Sequence, residues 1–248
     1  MIRRRLRTVV DPLLRAFGLK LVNRFRAPRG FSDAFQRIAN SGIGIKHIFD
    51  VGASDGQWTR SCLKVFPDAR YFLVEARHTH EAALATFRQQ QPNIDYTICT
   101  LGAQTKNAEI YEHGNQTSVL ASEYVDSPQT NRTTVELQTL DMLIAPEQLT
   151  GPTIIKLDVQ GYELKVLRGG EQLLSTDHVQ FLLAEVSMRR IYDSAPLAHE
   201  VIRFAADHGF RIFDICSYCP RPHDLELAQC DVLFAKNTSS LFEYEGWN

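Results

Sequence analysis

The stretch HIFDVGASDGQW, residues 47–58, has the residue types and spacing to hold a nucleotide-like ligand. An apolar run typical of a buried strand reaches Asp50 and then breaks into a turn with glycines at positions 52 and 56. Glycine lets a backbone turn sharply and approach a ligand closely. The spacing lacks the G-x-G-x-x-G pattern that makes room for a pyrophosphate. We therefore expect a ligand without phosphates, with a simple tight turn as the alternative.

A second carboxylate, Glu75, follows the next apolar run, 23 positions after Gly52. A carboxylate at this place can accept hydrogen bonds from both hydroxyls of a ribose. The alternative is a charge that the dipole of the next helix favours. A glycine turn without phosphate geometry and a ribose carboxylate together indicate S-adenosylmethionine, a methyl donor. NAD is the competing cofactor, and the lack of a lysine after the glycines argues against ATP.

The elements that position these residues alternate between strands and helices, which predicts an α/β fold with a mostly parallel sheet. We predict helices over residues 31–40, 58–66, 79–90, 140–144 and 197–208. We predict a first strand that begins at residue 47, and further strands over residues 71–74, 94–99, 154–157, 181–186, 210–215 and 231–235. Ligands of such sheets bind beyond the carboxyl ends of the strands. Four acidic residues fall at those ends: Asp50, Glu75, Asp158 and Glu185.

Residues 102–132 are rich in Ser, Thr, Asn, Gln and Gly, and form a candidate substrate loop that contains a short strand at 108–111. A second short strand is predicted after this loop, at 135–138. The hydrogen-bonding groups of the loop suit a carbohydrate or another polyhydroxylated acceptor, although soluble connecting loops have a similar composition. The candidate contact residues are His113, Asn115, Gln116, Thr117, Ser118 and Tyr124.

Length and composition are those of a globular protein, with 248 residues, 44% of them hydrophobic and 23% charged. No apolar run approaches the roughly 20 residues of a membrane span, and we expect a soluble cytoplasmic protein without a signal peptide. Five scattered cysteines predict reduced thiols. The pair Cys216 and Cys219 has C-x-x-C spacing but no second ligand pair, so we expect no metal site.

The charge is unevenly distributed along the chain. Residues 1–29 hold nine of the 27 basic residues and one acid, Asp11, so the remaining 18 basic and 28 acidic residues carry a charge near −10. We assign residues 1–30 to a basic N-terminal extension and 31–248 to the enzyme domain. The extension is compatible with an amphipathic helix that contacts anionic lipid at the inner face of the cell membrane, or with a helix that packs on the domain.

Three segments resemble the FkbM-type methyltransferases: FDVGASDGQWT (residues 49–59), TLD (139–141) and IKLDVQGYELKVLRG (155–169). With Glu75, the strand ends at 184–186 and the final 231–234 stretch, the resemblance covers residues 31–236. It implies the class I methyltransferase fold, a seven-stranded mostly parallel sheet with an antiparallel last strand and helices on both faces. It also implies methyl transfer from S-adenosylmethionine, usually to a hydroxyl oxygen.

The resemblance also implies roles for individual residues. Asp158 would face the methyl group, either as the general base or as a residue that orients donor or acceptor, and Gln160 would contact the substrate. From its place on a neighbouring strand, Glu185 is expected to hold a sugar hydroxyl of the substrate or to pair with Arg189 or Arg190. Gln160 stands where family members commonly have glutamate, and Ser54 where asparagine is frequent. Glu163 is expected to support the turn before its helix. The expected cofactor contacts are Asp50, Gly52, Ala53, Ser54, Gly56, Glu75 and Ala76.

The sequence predicts an O-methyltransferase acting on a hydroxyl of a sugar or glycan. One alternative is O-methylation of a polyketide or another secondary metabolite. Another is a non-catalytic glycan-binding module that retains the fold. A nucleic-acid substrate is disfavoured, because the chain outside its N-terminus is acidic.

Overall fold

The computed structural model of this chain describes residues 30–113, 116–120 and 130–243. The predicted extension, apart from Gly30, lies outside this part. The strands are β1 (His47–Val51), β2 (Arg70–Glu75), β3 (Ile94–Ile98), β4 (Thr100–Leu101), β5 (Lys106–His113), β6 (Gln116–Ser118), β7 (Asn131–Gln138), β8 (Thr153–Leu157), β9 (Val179–Ser187), β10 (Phe210–Ile215), β11 (Cys219–Pro220) and β12 (Leu227–Lys236). The α-helices are α1 (Phe31–Asn40), α2 (Gln57–Cys62), α3 (Glu81–Gln90), α4 (Leu140–Leu143), α5 (Glu163–Arg168), α6 (Glu171–Leu174) and α7 (Ala198–Asp207).

The main sheet within these residues has the order β10–β12–β9–β8–β1–β2–β3, and β11 pairs with β12. The five strands from β9 to β3 are parallel, whereas β12 runs antiparallel to both β9 and β10. The predicted class I methyltransferase arrangement is confirmed. The sheet has eight strands rather than seven, because β12 extends past β10 and its free edge pairs with β11.

The segment predicted as a substrate loop contains more regular structure than expected. Strands β5 and β6 occupy much of it, and with β4 and β7 they form a second sheet in the order β4–β7–β5–β6. The short strands predicted at 108–111 and 135–138 are confirmed within β5 and β7, which are longer than predicted, whereas β6 was not predicted. Most of β7 is exposed, so its polar side chains face solvent and hide the strand from a hydropathy pattern. Among the candidate contacts, Asn115 and Tyr124 lie outside the described residues.

Both faces of the main sheet are covered, and alternate residues of each strand enter different cores. Ile154 and Leu183 belong to the core under α1, while Ile155 and Leu157 belong to the core on the opposite face. All of β8 is buried, which explains its continuous apolar pattern apart from one lysine. Helix α2 ends at Cys62, earlier than predicted, and a hydrogen-bonded turn continues to Phe66. No helix in the described part of the chain has the length and apolarity of a membrane span.

Candidate active site

The carboxyl ends of four neighbouring parallel strands bring the predicted site residues to one level of the sheet. Val51 pairs with Val74 of β2 and with Leu157 of β8, and Leu157 pairs with Ala184 of β9. The next residues along these strands therefore form a row across the sheet. In the order of the strands the row consists of Glu75, Gly52, Asp158 and Glu185, and Asp231 of β12 pairs directly with Glu185.

Protein atoms alone already require glycine at two positions of the turn after β1. A Cβ on Gly52, whose φ is +79°, would lie 1.9 Å from the carbonyl oxygen of Asp158. A Cβ on Gly56, whose φ is +81°, would lie 2.8 Å from the ring of Phe87. The sequence-based explanation, that these glycines let the backbone approach a ligand, stays a prediction, and Gly52 lines the cavity described below. The two glycines let β1 and β8 end in contact and let Phe87 pack beneath the turn.

The backbone amides of this turn point into the protein. Gly52 N and Ala53 N both donate to the carbonyl of Val74, and Gly56 N donates to the carbonyl of Ala53. Ser54, with a φ of +52°, donates its amide to Oε2 of Glu75 over 2.7 Å. A phosphate-binding turn presents such amides to its ligand. The arrangement therefore matches the expected preference for a ligand without phosphates.

Glu75 is 6% exposed and joins the glycine turn to the end of β2. Its Oε2 accepts from Ser54 N, and its Oε1 accepts from the amide of Arg77 over 2.9 Å. A carboxylate offers about four acceptor sites, so two of them remain for hydroxyl groups. The side chain lines the cavity described below, as does the neighbouring Ala76.

Lys156 is a site residue to which the sequence analysis assigned no role. Its Nζ lies 3.0 Å from Oδ1 of Asp50 and 3.4 Å from Oδ2 of Asp158, and it donates to the carbonyl of Gly52 over 2.9 Å. Burial opposes the charge, but Asp50 and Asp158 raise the pKa of Lys156 above its ordinary value, so it is an ammonium. The signal in the sequence was a lysine within an otherwise apolar buried strand.

Asp50 supports the turn from beneath and does not line the cavity. It is fully buried, and its Oδ2 accepts a 2.6 Å hydrogen bond from Oγ1 of Thr59 in α2. With Lys156 on its other oxygen, this carboxylate has no path to a ligand. The prediction that Asp50 contacts the cofactor is therefore corrected to a positioning role.

Asp158 is more accessible, with 39% of its side chain exposed, and belongs to a short chain of hydrogen bonds. Nε2 of Gln160 donates to Oδ1 of Asp158 over 3.0 Å, and the hydroxyl of Tyr192 donates to Oε1 of Gln160 over 2.8 Å. The turn that carries Gln160 is held by Glu163, whose Oε1 accepts from two amides, those of Val159 and Gly161. The predicted role of Glu163 in this turn is confirmed.

Two glutamates of this region hold protons more tightly than exposed carboxyls do. Burial, together with the charge of Asp158, raises the pKa of Glu163 to about 7 against the pull of its amide hydrogen bonds. Burial raises the pKa of Glu185 to about 8, with Asp158, Glu163 and Asp231 adding to the shift. The described residues include no group of three or more His, Cys, Asp or Glu side chains placed to hold a metal ion.

A cavity of about 250 Å³ opens at the carboxyl edge between the main sheet and the second sheet. Of the predicted site residues, Gly52, Ser54, Glu75, Ala76, Asp158 and Gln160 line it. Asp50, Ala53, Gly56 and Glu185 do not. The other lining residues are Val51, Val74, Arg77, His80, Cys99, Thr100, Leu101, Ile110, Thr117, Ser118, Val119, Val159 and Tyr162.

The second sheet supplies one wall of the cavity and is tied to the turn after β8. Oγ of Ser118 donates to the carbonyl of Gln160 over 2.8 Å and accepts from the amide of Leu120. Oγ1 of the neighbouring Thr117 is buried without a hydrogen-bond partner within the described residues. Sequence analysis had named Thr117 and Ser118 as contact candidates, and the structure brings both to the cavity.

The TLD segment and the end of the longer motif hold the fold together away from the cavity. The carboxylate of Asp141 accepts from the amides of Gln172 and Leu173 at the start of α6, and its own amide donates to the carbonyl of Gly169. A Cβ on Gly169 would lie 2.1 Å from the carbonyl oxygen of Gly102. The TLD segment and the end of the longer motif are therefore structural partners.

Comparison with known proteins identifies the family. The model of the family described as "Methyltransferase FkbM domain" matches residues 50–212. This range is more than half of the chain and contains the row formed by Glu75, Gly52, Asp158 and Glu185. The chain belongs to the FkbM methyltransferase family. The predicted resemblance is thus confirmed, and the described residues have the Rossmann-like fold of class I methyltransferases. No curated protein matches this FkbM chain.

Solved structures resemble this FkbM methyltransferase at low sequence identity. The methyltransferase FkbM from Methylobacillus flagellatus is 18% identical with a TM-score of 0.50 over 76% of this chain and 44% of its own. This chain thus spans less than half of that protein. Fibrillarin from Aeropyrum pernix, solved with natively bound S-adenosyl-L-methionine, is 16% identical with a TM-score of 0.43, covering 77% of this chain and 66% of its own.

Proposed function

We propose that this FkbM methyltransferase transfers a methyl group from S-adenosylmethionine to a hydroxyl oxygen of a sugar or glycan. The observation that supports the proposal most is the order of Glu75, the Gly52 turn and Asp158 in one row, with all three lining a single cavity. A ribose carboxylate, a turn whose amides at four positions bond within the protein and a second carboxylate are the features that such a donor needs, in the order in which its parts would lie.

The residues fit S-adenosylmethionine in charge and size. Two acceptor sites of Glu75 remain for ribose hydroxyls, and the turn offers no nest of amides for a phosphate. The exposed carboxylate of Asp158 suits the positive sulfonium. The cavity volume of about 250 Å³ lies slightly below the roughly 300 Å³ at which most small-molecule sites begin. An extended ligand would therefore fill the cavity completely.

A hydroxylated acceptor is favoured by the polar groups on the wall formed by the second sheet. Thr117 and Ser118 line the cavity there, and Gln160 faces them from the turn after β8. A buried hydroxyl without a partner, such as Oγ1 of Thr117, is costly unless a ligand or water supplies a hydrogen bond. A hydroxyl-rich ligand would satisfy it. O-methylation of a secondary metabolite is the alternative that the acceptor screen below would reveal.

The contribution of the protein to this reaction is mainly alignment. When bound, S-adenosylmethionine supplies a methyl group already activated by the sulfonium. Asp158 is held by two donors, Lys156 at 3.4 Å and Gln160 at 3.0 Å, which set the direction of its carboxylate. We assign to Asp158 the orientation of donor and acceptor hydroxyl. Alignment of this kind can supply about 7–11 kcal/mol of the barrier.

The test combines calorimetric titration and an acceptor screen on the full chain. We expect S-adenosylmethionine and S-adenosylhomocysteine to bind and NAD to give no heat. Formation of S-adenosylhomocysteine is then measured with methyl glycosides and with phenolic and aliphatic alcohols. Turnover with glycosides supports the sugar acceptor, and turnover with the other alcohols alone contradicts it. Binding of NAD alone would overturn the methyl donor.

A further inference from the structure

We propose that Glu185 is the general base of this methyl transfer, the group that removes the proton from the acceptor hydroxyl. The inference rests on the proposed function and assigns a catalytic residue within it. Three observations support it: Glu185 lies next to Asp158 in the row of strand ends, its carboxyl group has a neutral hydrogen-bond partner, and charged groups surround it.

The geometry places Glu185 on the acceptor side of Asp158. Adjacent strands lie about 4.8 Å apart, so Glu75 and Glu185, three strands apart in the row, are separated by about 14 Å along the sheet. A donor whose ribose lies at Glu75 and whose sulfonium lies near Asp158 would direct its methyl group towards β9. The acceptor oxygen would then lie between Asp158 and Glu185.

The side chains of the row also share one face of the sheet. Leu157 and Ala184 are paired and both enter the core opposite α1, so the next residues, Asp158 and Glu185, both point to the α1 side. The ion pair between Lys156 and Asp158 confirms this direction for β8. Glu185 is therefore a neighbour of Asp158 on the same face, and it is partly exposed at the edge.

Glu185 differs from Asp158 in the partners of its carboxyl group. Its Oε2 accepts a 2.8 Å hydrogen bond from Nε2 of Gln229, a neutral amide. The nearby arginines, which the sequence offered as partners, form ion pairs elsewhere: Arg189 with Glu226 at 3.6 Å and Arg190 with Glu200 at 3.9 Å. Glu185 forms no ion pair within the described residues, so protonation of its carboxylate breaks none.

The groups around Glu185 bring the pKa of its carboxyl group to about 8, close to neutral pH. Burial raises the pKa of Glu185 most. Asp158 after β8, Glu163 at the start of α5 and Asp231 on β12 raise it further, while Lys156 on β8 lowers it. A base is most effective when its pKa lies near the working pH. Neighbouring carboxylates with different environments commonly divide the roles of orienting group and proton acceptor.

The proposed step is balanced in atoms and charge. The acceptor oxygen forms a bond to the methyl carbon as the bond between that carbon and sulfur breaks, and the sulfur keeps the electron pair as a neutral thioether. The hydroxyl proton moves to a carboxylate oxygen of Glu185. Glu185 lies beside the residues that line the cavity and is partly exposed, so the carboxylic acid then returns the proton directly to solvent.

The first test uses ligand binding and needs no acceptor. A sulfonium near Glu185 should lower its pKa, so binding of S-adenosylmethionine at pH 7.5 should release a fraction of a proton that neutral S-adenosylhomocysteine does not release. The release is measured by calorimetry in phosphate and in Tris, which differ in ionisation enthalpy. Glu185→Gln should abolish the difference between the two ligands while both still bind.

Asp231→Asn is the matched control, because it removes the other carboxylate at the same level, which Ser217 contacts. This variant should keep a difference between the ligands, smaller at pH 7.5 because the loss of Asp231 lowers the pKa of Glu185. An unchanged difference in Glu185→Gln would overturn the assignment of the base. Failure of wild-type protein to bind S-adenosylmethionine would instead overturn the proposed function itself, so the two failures are distinguishable.

The second test is the pH profile of turnover with whichever acceptor the screen yields. Wild-type kcat/KM should rise with pH with a midpoint near pH 8 and level off about one unit above it, because the ionised form of Glu185 is the active one. Glu185→Gln should lower kcat by about 10²–10⁴-fold and remove that rise. Asp231→Asn should move the midpoint to lower pH. A Glu185→Gln variant with the wild-type rate and profile would contradict the proposal.

Discussion

The ammonium of Lys156 lies 3.0 Å from Oδ1 of Asp50 and joins two strand ends that are far apart in the sequence. The same ammonium reaches Asp158 at 3.4 Å and the carbonyl of Gly52 at 2.9 Å. A buried cation thus connects the glycine turn after β1 to the carboxylate after β8. Its removal would leave two carboxylates facing each other in a poorly solvated space.

We expect Lys156→Met to destabilise the fold by about 3–5 kcal/mol, because it leaves buried Asp50 without its cation. Chemical denaturation measures the free energy of unfolding. Lys165→Met, at an exposed position of α5, is the control and should change it by less than about 0.5 kcal/mol. Adding Asp50→Asn to Lys156→Met should restore part of the loss. Equal stability of Lys156→Met and wild type would show that the pair is not structural.

Gly52→Ala should be more destabilising than Gly42→Ala, although both glycines have a positive φ, +79° and +84°. A Cβ at position 42 meets nothing within 4 Å, so only backbone strain of about 1–2 kcal/mol is expected. A Cβ at position 52 would overlap the carbonyl of Asp158, which adds about 1–3 kcal/mol or more. Thermal unfolding of both variants measures the difference, and equal losses would contradict the close approach of β1 and β8.

Glu75→Ala should weaken binding of S-adenosylmethionine by about 1.5–3 kcal/mol, because charge-assisted hydrogen bonds to the ribose would be lost. Titration calorimetry measures this change. Glu81→Ala, an exposed carboxylate in the next helix, is the control and should bind as wild type does. Wild-type affinity in Glu75→Ala would refute the ribose assignment.

Asp158→Asn should reduce kcat more than it reduces affinity for the acceptor, because an amide keeps the shape but loses the charge near the sulfonium. If Asp158 orients the reactants, the rise of activity towards pH 8 should persist in this variant. The measurement is kcat and KM across pH 6–9. Loss of the rise in Asp158→Asn, with its retention in Glu185→Gln, would exchange the two roles.

Glu163 makes stability depend on pH in a direction that can be predicted. Its pKa is raised from 4.5 to about 7, chiefly by burial, so the folded state binds the proton more tightly than the unfolded state. The stabilising effect of this proton is complete below pH 4.5 and is lost as the pH rises to about 7. Wild type should therefore lose stability over this range relative to Glu163→Gln, on the order of 3 kcal/mol. Urea unfolding at pH 4.5 and pH 8 measures it, and a pH-independent difference would contradict the prediction.

The strand and helix pattern could be predicted because it depends on local hydropathy. Helix α1 begins and ends where the sequence predicted, and all the core strands were found. The second sheet was predicted only in part, because exposed polar strands such as β7 show no difference in hydropathy between their two faces. Strand pairing with distant partners stabilises it, and a local pattern does not contain that information.

The sequence by itself determined the alternation of strands and helices, the turn after β1 and the acidic residues at strand ends, because each depends on neighbours within a few positions. It also carried enough of the motif pattern to identify the family. Only the tertiary structure decided which carboxylates face the cavity and which lie beneath it. Lys156 meets Asp50 across two strands, and Gly52 meets Asp158, because parallel pairing brings distant segments into register, and register is set by the packing of the whole sheet.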